Sequence, residues 1–306
     1  MSQGLTPSVE SILDARTLSE IESLAFHART IAESIISGAH RSRLHGNSAE
    51  FSEHKEYSPG DDLRALDWRA YARLDRDYVK RYENESSLRA LCVVDVSGSM
   101  DYPAEQQRAT KLQQASVAAA ALAYVLEAQG DAVGLAAAGE RLEIRVPARA
   151  RRGQLQEVLT ELVRMKAEGP SRLGATLDTL AEGLRQRTIV ALFTDLLDGG
   201  LEGLESLRRL RARRHDVVVF HVLDPDELDF PFEDTTRFVS LEDDQELQID
   251  ARAVRRAYQE EMTRFREAAR SACASARVDY RLFRTDESPG KILAEVLNAR
   301  TQRRRR

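Results

Sequence analysis

Asp95-Val96-Ser97-Gly98-Ser99 places one carboxylate and two hydroxyls at alternate positions directly after the apolar run Leu91-Cys92-Val93-Val94. A buried strand that ends this way offers three hard oxygen ligands within one turn, which suits a small divalent cation such as Mg²⁺ or Mn²⁺. A second apolar run, Ile189-Val190-Ala191-Leu192-Phe193, leads through Thr194 into Asp195. A third loop, Gly169-Pro170-Ser171, brings a further hydroxyl ahead of Gly174-Ala175-Thr176. Taken alone, the run at Asp95 fits a helix N-cap as well as a metal site. If the two apolar runs are neighbouring strands at the point where the strand order reverses, their loops meet and both carboxylates converge. No His, Lys or Cys adjoins Asp95 in the sequence, so no general base is evident to turn a metal-bound water into a nucleophile. Binding is expected rather than turnover.

The elements that must position these loops follow from hydrophobic spacing. Leu18, Ile21, Leu24, Ala25, Ala28, Ile31, Ala32 and Ile35 recur at three and four, after a Thr17-Leu18-Ser19-Glu20 capping box, and predict an amphipathic helix ending near Gly38. Pro59-Gly60 marks a turn before a short helix through Leu63, Leu66 and Ala70, and Tyr78 to Tyr82 alternates like a strand. From Leu88 onward strands and helices alternate. Strands are expected at 91–94, 132–137, 141–146, 189–193, 217–222 and 278–283. Helices are expected at 111–129, 155–165, 177–184, 201–211, 251–276 and 291–299, and a small hairpin at 237–249. The turn Gly139-Glu140 is too short for a helical crossover, so the strand from Arg141 must run antiparallel at the sheet edge. The fold class is therefore α/β, a doubly wound, mostly parallel sheet with an antiparallel edge strand. Three segments are expected: residues 1–87 as helix and hairpin packed on the core, 88–300 as the sheet domain, and 301–306 as a basic tail.

Composition limits the function classes. The chain has 306 residues, a formal net charge of −5, 31 % charged and 42 % hydrophobic residues, a globular balance with no global bias toward nucleic acid or acidic lipid. Lys55, Lys80, Lys111, Lys166 and Lys291 are the lysines among 45 basic residues, so arginine dominates. Cys92 and Cys273 lie far apart, which fits buried free thiols in a reducing compartment rather than a disulfide. Residues 1–10 lack the basic start and apolar stretch of a signal peptide, and no later run approaches the roughly 20 apolar residues of a membrane helix. A cytosolic protein with no membrane span is expected.

The acids and hydroxyls resemble the metal-ion-dependent adhesion site of von Willebrand factor A domains, with Asp-x-Ser-x-Ser, a Thr loop and a second Asp. Asp95, Ser97 and Ser99 match the first element and Asp195 the last. Counting back three from Gly174 puts Ser171 where that family carries threonine, and Thr176 is a rival that already lies on the following helix. Upstream, Glu50-Phe51, Glu56-Tyr57, Pro59-Gly60-Asp61-Asp62, Arg64, Asp67-Trp68-Arg69, Ala72-Arg73 and Lys80 resemble the family called domain of unknown function 58, in which such a block precedes an A-like domain. The resemblance implies a protein-interaction module. Its metal would be held by Asp95, Ser97, Ser99, Ser171 and Asp195, and a partner would supply a Glu or Asp carboxylate. It also implies a MoxR-type AAA+ ATPase as partner.

Two other readings compete. A phosphohydrolase of the haloacid-dehalogenase type would use Asp95 as nucleophile, but it needs an acid two residues on, where Ser97 stands. A structural scaffold with an unused site would bind its partner equally well in chelator. Among other polar residues, Asp198 reads as a turn residue, and His40, His45, His54, His215 and His221 have neither cysteines nor helical metal spacing beside them. Trp68, the one tryptophan, argues for a packed contact.

Overall fold

In the computed structural model the described residues are 15–43, 53–56, 78–81, 88–103, 108–197, 203–243 and 245–304. The chain runs α1 (Ala15–Arg43), β1 (Glu53–Glu56), β2 (Tyr78–Arg81), β3 (Arg89–Asp95), α2 (Lys111–Ala128), β4 (Ala132–Ala138) and β5 (Leu142–Arg149). It continues with α3 (Gln154–Arg164), α4 (Leu173–Gly183), β6 (Ile189–Thr194), α5 (Glu205–Ala212), β7 (Asp216–Leu223) and α6 (Pro225–Asp229). The last elements are β8 (Thr235–Val239), β9 (Glu246–Asp250), α7 (Ala251–Ser275), β10 (Asp279–Arg284) and α8 (Pro289–Arg304).

Two compact units result. Residues 1–36 and 88–306 form one, and residues 37–87 form the other. The smaller contains the antiparallel pair β1–β2, in register Glu53 with Arg81 and Glu56 with Tyr78. The short helix expected through Leu63, Leu66 and Ala70, and Trp68 with it, lies outside the described residues, as does Asp198.

The larger unit is built on a six-stranded sheet in the order β10-β7-β6-β3-β4-β5. All neighbours are parallel except β4 and β5, so the antiparallel edge strand is where the short turn required it. The chain leaves β3 toward β4 and β5, then crosses to β6 on the other side. The strand order therefore reverses between β3 and β6, and ligands in such sheets collect at the carboxyl ends of the strands there.

Both faces of the sheet are covered, which explains why its central strands are apolar at every position rather than alternating. Cys92 and Val94 face a core shared with α1, α2, α3 and α8, through Ile21, Ala28, Ala119, Leu159 and Leu293 among others. Leu91 and Val93 face the opposite core, with Leu177 of α4, Leu207 of α5 and Cys273 of α7. The two cysteines are free, buried and on opposite faces of the sheet.

Several boundaries differ from expectation for local reasons. Helix α4 starts at Leu173, four residues before Leu177, and its first turn packs Gly174 against the backbone of Gly203, where a Cβ would stand 3.3 Å from the Gly203 Cα. Helix α6 was not expected, although Asp224-Pro225-Asp226-Glu227 is a capping box with proline in the first turn. Helix α8 continues through Arg304, so the basic segment from 301 begins as helix. The β8–β9 hairpin is anchored by Phe230, whose ring meets Phe232, Phe238 and Tyr258 at centroid distances of 5.2, 5.7 and 4.4 Å.

Candidate functional site

Strand register brings the two acids together. Val94 of β3 pairs with Phe193 of β6, so the next residues, Asp95 and Thr194, stand side by side at the strand ends. Thr194 Oγ1 donates to Asp95 Oδ2 at 2.6 Å, and the Ser97 amide donates to Asp95 Oδ1 at 2.9 Å. Asp95 and Asp195 are both buried. Burial, then the neighbouring charge of Asp195, pushes the Asp95 carboxyl up to about 7. Two neighbouring carboxylates out of water resist joint ionisation unless a cation or a proton offsets their charge.

The loops are stitched by backbone hydrogen bonds. Gly98 N donates to Gly169 O at 2.8 Å, Glu168 N to Val96 O at 2.9 Å, and Arg172 N to Gly139 O at 3.0 Å. The loop carrying Ser171 is thereby fixed beside the Asp95 turn. Ser97 Oγ and Ser99 Oγ are 3.1 Å apart, and the Ser99 side chain is near enough to Asp195 to help lower its carboxyl. Ser171 Oγ is buried with no hydrogen-bond partner among the described residues. Thr176, its rival, is already committed, since its hydroxyl donates to Leu173 O at 2.8 Å inside α4. The structure thus gathers Asp95, Ser97, Ser99 and Asp195 and brings the Ser171 loop against them.

One occupant of this site was not visible in sequence terms. Lys111, the first residue of α2, is fully buried, and its Nζ lies 2.7 Å from Asp195 Oδ2 and 2.6 Å from Glu227 Oε1. Burial alone would lower the ammonium's pKa, but the two carboxylates outweigh it and hold it above the ordinary lysine value. In turn, burial would raise Asp195, yet the Lys111 charge and its hydrogen bond bring the carboxyl below the usual range. The other Asp195 oxygen accepts from the Leu197 amide at 3.1 Å. The absence of a lysine next to Asp95 in sequence therefore did not mean its absence from the site. The available signal was a lysine opening a helix, where the dipole disfavours a cation, in an arginine-rich chain.

The surroundings extend the network. Glu227 Oε2 accepts from the Asp224 amide at 2.7 Å, and Asp224 Oδ2 accepts from Thr285 Oγ1 at 2.8 Å. His221 on β7 bonds the Asp195 carbonyl at 2.8 Å and Tyr280 Oη at 2.7 Å. A carbonyl only accepts, so Nε2 carries the proton and Nδ1 accepts from Tyr280. Above the Asp95 turn, the hairpin loop presses on Gly98, where a Cβ would meet Leu241 O at 2.1 Å, and Glu242 Oε1 accepts from Ser99 N at 3.4 Å.

The donor set fits a hard divalent cation. Among the described residues no three of His, Cys, Asp and Glu gather as metal ligands, so a cation here would depend on two carboxylates and on hydroxyl oxygens. The orphaned Ser171 hydroxyl is the donor with nothing else to bind. A phosphohydrolase role for Asp95 gains no support: the residue two on is Ser97, not an acid, and it contributes its amide to Asp95 itself.

Comparison with known proteins adds three findings. The family described as protein of unknown function DUF58 matches residues 53–268, which bears out the resemblance drawn from the acidic and aromatic block. The uncharacterized protein Rv1480 of Mycobacterium tuberculosis is 28 % identical over 222 residues, 71 % of this chain and 68 % of that protein. Similar solved structures include the conserved hypothetical protein BatB from Bacteroides thetaiotaomicron, with TM-score 0.47 and 16 % identity over 71 % of this chain and 100 % of that one. An aerotolerance-related membrane protein from Bacteroides fragilis gives TM-score 0.45 and 16 % identity over 70 % and 98 %. Proximal thread matrix protein 1 from the mussel byssus, with a zinc-occupied MIDAS motif, gives 0.35 and 14 % over 44 % and 38 %. The von Willebrand factor A-like architecture stands on the sheet order and its antiparallel edge, not on these scores.

These neighbours correct the cytosolic expectation, because one of them is described as a membrane protein. Among the described residues no helix is long and apolar enough to cross a membrane. That observation assigns no compartment, since a chain reaches a membrane by attachment as well as by spanning it.

Proposed function

We propose that this chain, which belongs to the family described as protein of unknown function DUF58, is a protein-interaction module whose docking face is the switch point between β3 and β6. Residues 88–300 carry it. Asp95, Ser97, Ser99, Ser171 and Asp195 hold a divalent cation, Mg²⁺ or Mn²⁺, directly or through water. The bound cation supplies one open coordination position for a Glu or Asp carboxylate of a partner protein. A MoxR-type AAA+ ATPase is the partner class that the family resemblance implies.

The observation that carries this reading is the buried Ser171 hydroxyl without a partner, on a loop stitched to the turn of Asp95, Ser97 and Ser99. A buried donor left unsatisfied costs about 1–3 kcal/mol, so its retention on a loop bonded to the Asp95 turn favours a ligand there. The rim suits a protein rather than a small molecule. Leu197 next to Asp195 and Leu241 over Gly98 are exposed large hydrophobics. An open cleft lined by Ser171, Arg172, Ser206 and Arg209 adjoins the same loop.

Calorimetric titration of Mn²⁺ into the wild type and Asp95→Ala tests the site. Binding by the wild type and its loss in the variant are expected, and equal heats from both reject it. Capture of an AAA+ partner that survives chelator would leave the fold as an interaction module but remove the cation from its mechanism.

A further inference from the structure

We propose that Lys111 is a built-in counter-ion that holds down the cation affinity of the Asp95–Asp195 site, leaving part of the charge balance for an incoming carboxylate partner to complete. This rests on the reading above.

Three observations support it. First, the ammonium lies against the site itself: Lys111 Nζ is 2.7 Å from Asp195 Oδ2, and Asp195 Oδ1 is engaged by the Leu197 amide. Asp195 therefore presents no oxygen free of a donor, and its charge is offset by an ammonium that it shares with Glu227. Second, nothing in ordinary helix design asks for this lysine. It opens α2, where the positive end of the helix dipole repels a cation, and Thr110 and Gln113 already form the capping box. It is also fully buried, where an ammonium persists only when paired. Third, its second partner is not on the site loops. Glu227 lies on α6, accepts the ammonium at 2.6 Å, and is fixed by the Asp224 amide. Lys111 is thus held between two acids, and its position is set from α6 as well as from Asp195.

The electrostatic consequence has a definite sign. A divalent cation entering beside Asp95 meets a like charge just beyond Asp195, in surroundings where charges are poorly screened. An additional carboxylate from a partner offsets that repulsion, so the complete site needs the partner's charge more than a site without the lysine does. Lys111 is a positioning and charge-setting residue, not a ligand.

Mn²⁺ titrated into the full chain tests this, by calorimetry and by the loss of the free Mn²⁺ spin-resonance signal. Lys111→Gln keeps a hydrogen-bonding group near both acids while removing the charge, and is expected to bind Mn²⁺ at least tenfold tighter than the wild type. A merely structural lysine predicts weaker binding, because its removal loosens the site. Glu227→Gln leaves the ammonium with Asp195 alone and is expected to bind at least threefold weaker. If Lys111→Gln binds no tighter while Asp95→Ala abolishes binding, the counter-ion role is overturned and the cation site stands. If Lys111→Gln fails to fold, unchanged or tighter binding by Glu227→Gln overturns it. If neither the wild type nor Lys111→Gln binds Mn²⁺ up to millimolar concentration, the cation site falls, and this inference with it.

Discussion

Thr194 Oγ1 donates to Asp95 Oδ2 at 2.6 Å, so the strand that delivers one acid also orients the other. The same hydroxyl accepts from the Leu196 amide at 3.1 Å, which fixes the turn into Asp195. Hydrogen bonds to charged groups are worth about 1.5–3 kcal/mol, so Thr194→Val is expected to lose about that much stability in urea denaturation above about pH 8, where the Asp95 carboxyl is ionised. Because Asp95 loses a donor, Mn²⁺ affinity falls in the same variant. Wild-type stability in Thr194→Val would show that the bond contributes nothing.

Ser171→Ala separates stability from binding. The hydroxyl is buried without a partner, so its removal is expected to leave the urea midpoint unchanged or raise it, within about 1 kcal/mol. Mn²⁺ binding is expected to weaken by an order of magnitude or more. Lost stability with intact binding is the opposite pattern and would exclude Ser171 from the site.

Gly98 is required by a close approach rather than by backbone strain. An added Cβ would lie 2.1 Å from Leu241 O, a backbone atom that moves only with the hairpin loop. Gly98→Ala is expected to cost about 1–3 kcal/mol, as overpacking does. It also lifts the loop from Ser99, so tryptic cleavage at Arg237 should accelerate. Unchanged cleavage would mean that the loop does not rest on the site in solution.

His221 gives the fold a pH dependence. Burial, opposed only in part by its bond to the Asp195 carbonyl, pushes the imidazole down to about 4. Below about 6.5 the unfolded chain takes up a proton that the native one refuses, so stability is lost as pH falls from there toward 4. The contribution reaches about 3 kcal/mol over that window. Urea midpoints for the wild type and His221→Gln, measured from pH 7.5 to 4, should differ by an amount that is constant above 7 and shrinks below 6.5. A difference independent of pH contradicts the assignment.

The sequence by itself determined the strands, because both-face burial requires unbroken apolar runs and these stand out at Leu91–Val94 and Ile189–Phe193. It also determined the antiparallel edge, because Gly139-Glu140 leaves no length for a crossover, and the order in which acids and hydroxyls follow the strands. What it left open between Ser171 and Thr176 bears on the proposed ligand set, and there the structure shows one hydroxyl unpartnered and the other bonded within α4. Only tertiary structure put Lys111 against Asp195, 84 positions away, and Glu227 against Lys111, 116 positions away. Such pairs obey no local period, since strand order and helix packing decide which distant charges meet. Local spacing encodes what a segment becomes, whereas the charge a site carries depends on every element folded against it.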